Sequence, residues 1–298
     1  MEEEMMKKLT VFTPTYNRAY TLGRLYESLC RQSNKNFEWL VVDDGSEDET
    51  EELIKTWQSE GSISIKYIYQ ENGGKMRAHN RGVKSAETEL FVCVDSDDYL
   101  VDDGVEKILS FWKEKGREAT IAGIVGYRGK NTEETLLDGR FPYERNSTLK
   151  DLYKYGFRGD STLVYRTEIL RSFLFPEIEG EKFISEAYVY NQIDRQFQLS
   201  VLPQIIIVCN YLEDGYTRNH ARLRKDNPIG CALYSNQKAM YAETLKERWV
   251  NTINYVSYAL AGKKRRILED SSNKIRTLCC YPLGYLLFLK RKHKNKKV

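Results

Sequence analysis

The chain has 298 residues, 41% of them hydrophobic and 30% charged, a balance that excludes a disordered or low-complexity protein and leaves ample material for a core. Its 46 Lys and Arg nearly cancel its 43 Asp and Glu, so the formal charge is only +3 and no global field would hold it on nucleic acid. The length allows one large α/β domain with an extension, or two modest domains.

In chain order, apolar runs alternate with helical patterns. Residues 9–13 read as a strand, 21–32 as an amphipathic helix, 39–42 as a strand, 51–58 as a helix and 63–69 as a strand. A helix over 75–86 then precedes Leu90-Phe91-Val92-Cys93-Val94, whose unbroken apolarity suits a strand covered on both faces. This βαβαβ order predicts an α/β fold with a mostly parallel, doubly wound sheet flanked by helices. Beyond it, 105–112 reads as a helix, 121–127 as a strand and 129–147 as a polar loop. Strands are expected at 161–165 and 204–212 with a helix over 186–197 between them, and a helical extension follows Pro228.

The six cysteines include no CxxC pair and have no His at metal-ligand spacing, which excludes a zinc knuckle. Cys93 and Cys209 lie in apolar runs and read as buried thiols, so a reducing cytosol is expected. The start, Met1-Glu2-Glu3-Glu4, carries acid where a signal peptide carries base. A chain that is not secreted is expected.

Three polar clusters each follow directly on a predicted parallel strand: Pro14-Thr15-Tyr16-Asn17-Arg18, Asp43-Asp44-Gly45-Ser46 and Asp95-Ser96-Asp97-Asp98. Taken singly, each has the composition of an ordinary turn or cap. In an open α/β sheet, however, the carboxyl ends of neighbouring strands converge on one crevice, so the three should meet. Carboxylates crowded as in 95–98 repel one another unless a cation or proton relieves them. Oxygen-only ligands favour Mg²⁺ or Mn²⁺, which typically bridge to substrate phosphates. Neither GxGxxG nor GxxxxGK[ST] follows the first strand, which disfavours a nicotinamide cofactor and a P-loop nucleotide. What remains is a metal-bound nucleoside diphosphate compound.

These clusters, together with Asn72-Gly73-Gly74-Lys75 and Ala78-His79-Asn80-Arg81-Gly82, resemble in order and spacing the family 2 glycosyltransferases. The likeness is strong over roughly the first hundred residues and weaker to about Arg218. It implies a GT-A fold, Rossmann-like, with inverting transfer from a nucleotide sugar, usually a UDP-sugar. On that resemblance Pro14 and Tyr16 would line the nucleoside pocket and Asp44 would accept from the uracil edge. Asp97 would ligate the metal, and Asp95 would contact the ribose or the metal shell. Lys75 and Arg81 would lie near base or phosphates, with Asn17, Arg18, Gly74 and Ser96 in the same nucleotide-sugar site. The competing readings are Tyr16 as a packing aromatic and Arg81 as a solvated helix residue.

Inverting transfer needs a base opposite the leaving group. In the family a carboxylate serves, about ninety residues beyond the metal motif, where this chain has Ser185-Glu186-Ala187. Glu186 is the expected base, but Ala187 stands where many relatives have Asp. Asp160 is therefore the rival, or an acceptor contact, and helix-terminal charge stabilisation is the bland reading of Glu186. His220 is either a late metal ligand or phosphate contact, as in some GT-A enzymes, or a surface residue.

The stretch 277–289, about 20 Å as a helix, is too short to span a bilayer. It leads into Lys290-Arg291-Lys292-His293-Lys294-Asn295-Lys296-Lys297 and fits an interfacial segment on anionic lipid; a last core helix with a solvated basic end is the alternative. The expected organisation is a catalytic domain over 1–226, with 1–100 binding the nucleotide sugar and 101–226 the acceptor, followed by a helical extension over 227–298. The expectation for the whole is a metal-dependent transferase on the cytoplasmic face of the membrane, acting on a lipid-linked glycan. A sugar nucleotidyltransferase and a non-catalytic nucleotide-sugar scaffold are the rivals.

Overall fold

The computed structural model describes residues 7–115, 118–136, 139–209 and 220–294. Two compact units divide the chain: Met1–Phe175 with Val189–Glu213, and Pro176–Tyr188 with Asp214–Val298.

The first unit holds the strands β1 (Leu9–Thr15), β2 (Phe37–Asp43), β3 (Ile65–Tyr69), β4 (Leu90–Cys93), β5 (Tyr99–Leu100), β6 (Ile121–Gly129), β7 (Ser161–Arg166) and β8 (Gln198–Val208). They form one sheet in the order β3-β2-β1-β4-β7-β6-β8-β5. From β3 to β4 all pairings are parallel, with Val11 opposite both Trp39 and Val92. Beyond β4 the sheet is mixed, because β7 runs antiparallel to both β4 and β6.

Helices α1 (Ala19–Cys30), α2 (Thr50–Glu60), α3 (Lys75–Ser85) and α4 (Gly104–Lys115) alternate with the strands. Side chains along a strand point to opposite faces. Leu9, Val11, Trp39, Val41 and Val92 share one core with Leu22, Leu25 and Leu29 of α1, Ile54 and Trp57 of α2, and Ile108 and Trp112 of α4. Phe12 belongs to the opposite face, where its ring meets His79 of α3 edge-on and stacks on Phe91. A Cβ at Gly82 of α3 would lie 2.4 Å from the Phe12 ring, so a glycine lets helix and strand approach. Cover on both faces explains why β1, β2 and β4 read as continuous apolar runs.

Five elements depart from the sequence reading. The strand expected at 204–212 begins at Gln198. Pro203 hides its start, since proline donates no ladder hydrogen bond; the pairing with β6 steps from Val125–Val201 to Tyr127–Ile205 across it, an irregularity that absorbs the imino acid. Two short helices, α5 (Leu149–Lys154) and α6 (Thr167–Ser172), and the two-residue β5 had no periodic signal. The helix expected over 186–197 is the shorter α7 (Ala187–Ile193), which stops before the turn that leads into β8 at Gln198.

The second unit contains α8 (His220–Asp226), α9 (Pro228–Tyr241), α10 (Leu245–Ala261) and α11 (Lys274–Lys294). Thr244 starts α10 with a full capping box to Glu247. Asn227 ties the segment before α7 to α9, its Oδ1 accepting from the N–H of Lys182 at 2.6 Å. The Glu181 carboxylate accepts from the N–H groups of Ile229 and Gly230 in the first turn of α9.

Candidate active site

The parallel strands β1, β2 and β4 deliver their polar clusters to the same end of the sheet, and the loops are tied to one another. Asn17 adopts a left-handed conformation, φ 51°, which asparagine tolerates. Its N–H donates to Ser46 Oγ at 2.8 Å and its Oδ1 accepts from Glu47 N–H at 2.8 Å. The N–H of Ala19, the first residue of α1, donates to Asp48 at 3.0 Å. Gly45 has φ 85°, and a Cβ there would sit 2.8 Å from the backbone nitrogen of Asn72, so the turn after β2 demands glycine.

Asp44 is the hub of this region. Only 4% exposed, it accepts from Gln70 Nε2 at 2.7 Å and Gly73 N–H at 2.8 Å through Oδ1, and from Gly74 N–H at 2.7 Å through Oδ2. Its carbonyl accepts from Asn72 Nδ2 at 2.8 Å. The carboxylate thus shapes the glycine turn that leads into α3, and a nucleobase would use what acceptor capacity is left. Asp43 is equally engaged, with Ser46 N–H and the Tyr67 hydroxyl both at 2.8 Å. Tyr16 projects outward, 47% exposed.

The cluster after β4 separates its aspartates into three environments. Asp95 pairs with Lys75, the first residue of α3, at 2.7 Å. Burial pushes the Asp95 carboxyl up, but Lys75 and Arg128 together pull it below the usual carboxylate range. Asp97 moves the other way: burial, then the charge of Asp95, raise it above that range. Asp98, buried, is bound by Arg128 at 3.0 Å and accepts from Cys209 Sγ at 3.4 Å. Burial pushes the Cys209 thiol up to about 12, so it stays a donor.

The donor set suits a hard divalent cation. Two neighbouring carboxylates, one of them destabilised by the other, gain from an added positive charge, and Mg²⁺ or Mn²⁺ characteristically takes one or two carboxylates and completes its shell with phosphate and water. Among the described residues no three His, Cys, Asp or Glu side chains converge as a complete cage. Asp97 and Asp95 are the residues that would hold the ion. The side chain of His220, expected as a further ligand, lies outside the described residues.

Pro14, near the end of β1, and Arg18, in the loop after it, are partly buried, and Arg18 stacks on Tyr20. Ser96 is buried between Asp95 and Asp97. Arg81 is exposed on α3, six residues past Lys75 and so roughly 9 Å along the helix. Asp160 is exposed immediately before β7, its carbonyl accepting from Arg128 N–H at 3.3 Å. Glu186 is exposed just ahead of α7 and belongs to the second unit. The sequence reading missed Gln70 and the Arg128–Asp98–Cys209 group. Arg128 and Cys209 lie 30 and 111 residues from Asp98, and no local pattern announces such a meeting. A separate groove beside the start of α1 is lined by Asp48, Glu49 and Glu52, a charge unsuited to phosphate.

The fold defines the class: an α/β protein whose polar clusters gather at the carboxyl ends of parallel strands, where open α/β sheets take their ligands. The glycosyl transferase family 2 model matches residues 10–174, and the chain belongs to that family. Over 192 residues it is 27% identical to the poly(ribitol-phosphate) beta-N-acetylglucosaminyltransferase TarS of Staphylococcus aureus (strain Mu50), a match covering 62% of this chain and 33% of that one. Over 253 residues it is 28% identical to the glycosyltransferase GlyA of Streptococcus pneumoniae serotype 4, covering 83% of this chain and 33% of GlyA. The chain therefore spans about a third of the length of these relatives. The solved structure of S. aureus TarS 1–349 in complex with UDP-GlcNAc matches with a TM-score of 0.59 at 18% identity, over 97% of this chain and 92% of that one. A mannosyltransferase of Pyrobaculum calidifontis in complex with GDP-Man and Mn²⁺ matches at 0.56 and 16% identity, over 98% and 84%. These likenesses show the fold, which is the GT-A type that the motifs implied.

Proposed function

We propose that the chain transfers a sugar, with inversion, from a UDP-sugar to a hydroxyl of a growing, lipid-linked glycan. The observation that carries the reading is the convergence of the three motif loops around Asp44 and the unequal pair Asp95 and Asp97 at the ends of β1, β2 and β4. The UDP-GlcNAc complex of the TarS structure supports the donor class, and the Mn²⁺ in the mannosyltransferase structure supports a metal. Tyr16 presents a ring to the base, the glycine turn held by Asp44 shapes the nucleoside side, and Lys75 holds Asp95 in its ionised form. When bound, Mn²⁺ or Mg²⁺ at Asp97 and Asp95 supplies positive charge to the departing diphosphate. Glu186, with Asp160 as the rival, takes the proton of the acceptor hydroxyl.

Incubation with UDP-sugars, UDP-GlcNAc first, and Mn²⁺ should release UDP slowly even without acceptor. Asp97→Asn should abolish this release and sharply weaken UDP binding in Mn²⁺, with thermal stability retained. UDP affinity that is the same with Mn²⁺ and with EDTA would show that the aspartate pair is no metal site, and UDP binding without turnover of any donor would leave a binding scaffold.

A further inference from the structure

The second unit carries a helix built inside out. Against α10, α11 buries its small residues: Thr277 and Cys280 are 1% and 0% exposed, and a Cβ on Gly284 would come within 2.6 Å of Val256. Cys280 lies at Trp249, Gly284 at Ile253 and Val256, and Arg291 at Asn254 and Ser257. The two helices therefore run in the same direction along this contact. The large apolar side chains point away. Ile275 is 79% exposed, Leu278 63%, Leu283 55% and Leu286 61%.

At 100° per residue, Ile275, Leu278, Pro282, Leu286 and Leu289 fall on one stripe directly opposite Thr277, Cys280, Gly284 and Arg291. The stripe runs roughly 20 Å along the helix. Tyr281 and Tyr285, both exposed, border it with rings that end in a hydroxyl. The turn of α10 beside Cys280 exposes Trp249 and Val250 as well. An exposed apolar patch of this size marks an interaction surface.

Charge selects the occupant. Residues 274–294 contain no Asp or Glu, while Lys274, Arg276, Lys290, Arg291, Lys292 and Lys294 are all basic, and the sequence continues with Lys296 and Lys297. A second copy laid on this face would bring like charges together. No helix among the described residues is long and apolar enough to cross a membrane, and α11 spends one side on α10. An apolar stripe with tyrosines at its border and lysines at its end matches a helix lying in the plane of an anionic lipid surface, apolar side chains in the acyl boundary and ammonium groups among the phosphates. We infer that the outer face of α11 docks the protein flat on an anionic bilayer.

The full chain tests this by flotation with vesicles of phosphatidylcholine alone and of phosphatidylcholine with phosphatidylglycerol. Binding is expected to the second kind only, and to weaken as salt rises. Leu278→Glu with Leu286→Glu should abolish binding. Lys290→Ala with Lys292→Ala should weaken it roughly 25-fold, about five-fold for each charge. Because all four side chains avoid the α10 contact, unfolding temperature and UDP binding should not change in either variant. Failure of the full chain to float with phosphatidylglycerol vesicles, or undiminished flotation of the Leu278→Glu, Leu286→Glu protein, overturns the inference. A full chain that sediments as a dimer, becomes monomeric in that variant and ignores vesicles assigns the stripe to a second copy instead.

Discussion

Asp44 accepts from three donors that belong to one turn, two of them backbone N–H groups. Removing the carboxylate leaves the buried Gly74 N–H and the part-buried Gly73 N–H and Gln70 amide without their acceptor, at a cost of up to roughly 1–3 kcal/mol apiece. Asp44→Ala is therefore expected to lower stability by roughly 2–4 kcal/mol, a fall in melting temperature on the order of 10 °C, and to weaken UDP binding because the glycine turn loses its form. Calorimetric melting with UDP titration reads both. Lost affinity at unchanged melting temperature would make Asp44 a ligand group alone. The neighbouring aspartates show why such roles cannot be told from a motif. Asp95 is held ionised by Lys75, Asp97 is raised by burial and by Asp95, and Asp98 is committed to Arg128. The sequence presents them as equivalent, and only partners brought from α3, β6 and the end of β8 make them differ.

At the scale of elements, α5 hangs on a residue far away in the chain. Asp194 accepts from the N–H of Leu149 at 3.1 Å and of Lys150 at 2.9 Å, while Thr148 caps Asp151. Burial raises the Asp194 carboxyl from 3.8 to about 6, with Asp151 adding to it, and the two amides offset this only in part. A folded-state value above the unfolded one means that this group's contribution is fully present below about pH 4 and is lost as pH rises through about 6. A rise of this size corresponds to no more than about 3 kcal/mol. Asp194→Asn does not titrate, so the stability of the natural protein relative to the variant should fall between about pH 4 and about pH 7 by up to that amount. Urea unfolding of both proteins across this range measures it, and a difference independent of pH would refute the assignment.

The same helix shows what the sequence reading could reach. From β1 to β4 each element is long, periodic and paired with its neighbours in order, so the chain spells out the half-sheet and places the three clusters at its carboxyl ends. Past β4 the logic becomes non-local: α5 is six residues long and capped from Asp194, β8 is masked by Pro203, and β7 reverses direction between β4 and β6. Local periodicity carries none of this. The motif residues stand out because loops after buried strands concentrate polar side chains, whereas no local pattern marks Arg128 as the partner of Asp98, 30 residues away.

At the scale of the whole molecule, the candidate residues divide between the two compact units. Asp44, Asp95, Asp97 and Asp160 belong to the first, and Glu186 to the second. A general base acts on the acceptor hydroxyl in the transition state and adds little to donor affinity. If Glu186 is that base, Glu186→Gln should lower kcat by roughly 10² to 10⁴ while the UDP-sugar dissociation constant hardly moves. Both units would then be needed for turnover but only the first for donor binding. Asp160→Asn is the discriminating control, since Asp160 stands beside the Arg128 and Asp98 group on the first unit. Loss of kcat in Asp160→Asn with Glu186→Gln unaffected would move the base to the first unit and leave Glu186 as a charge at the start of α7. Donor affinity measured on the same samples separates either result from a general loss of folded protein.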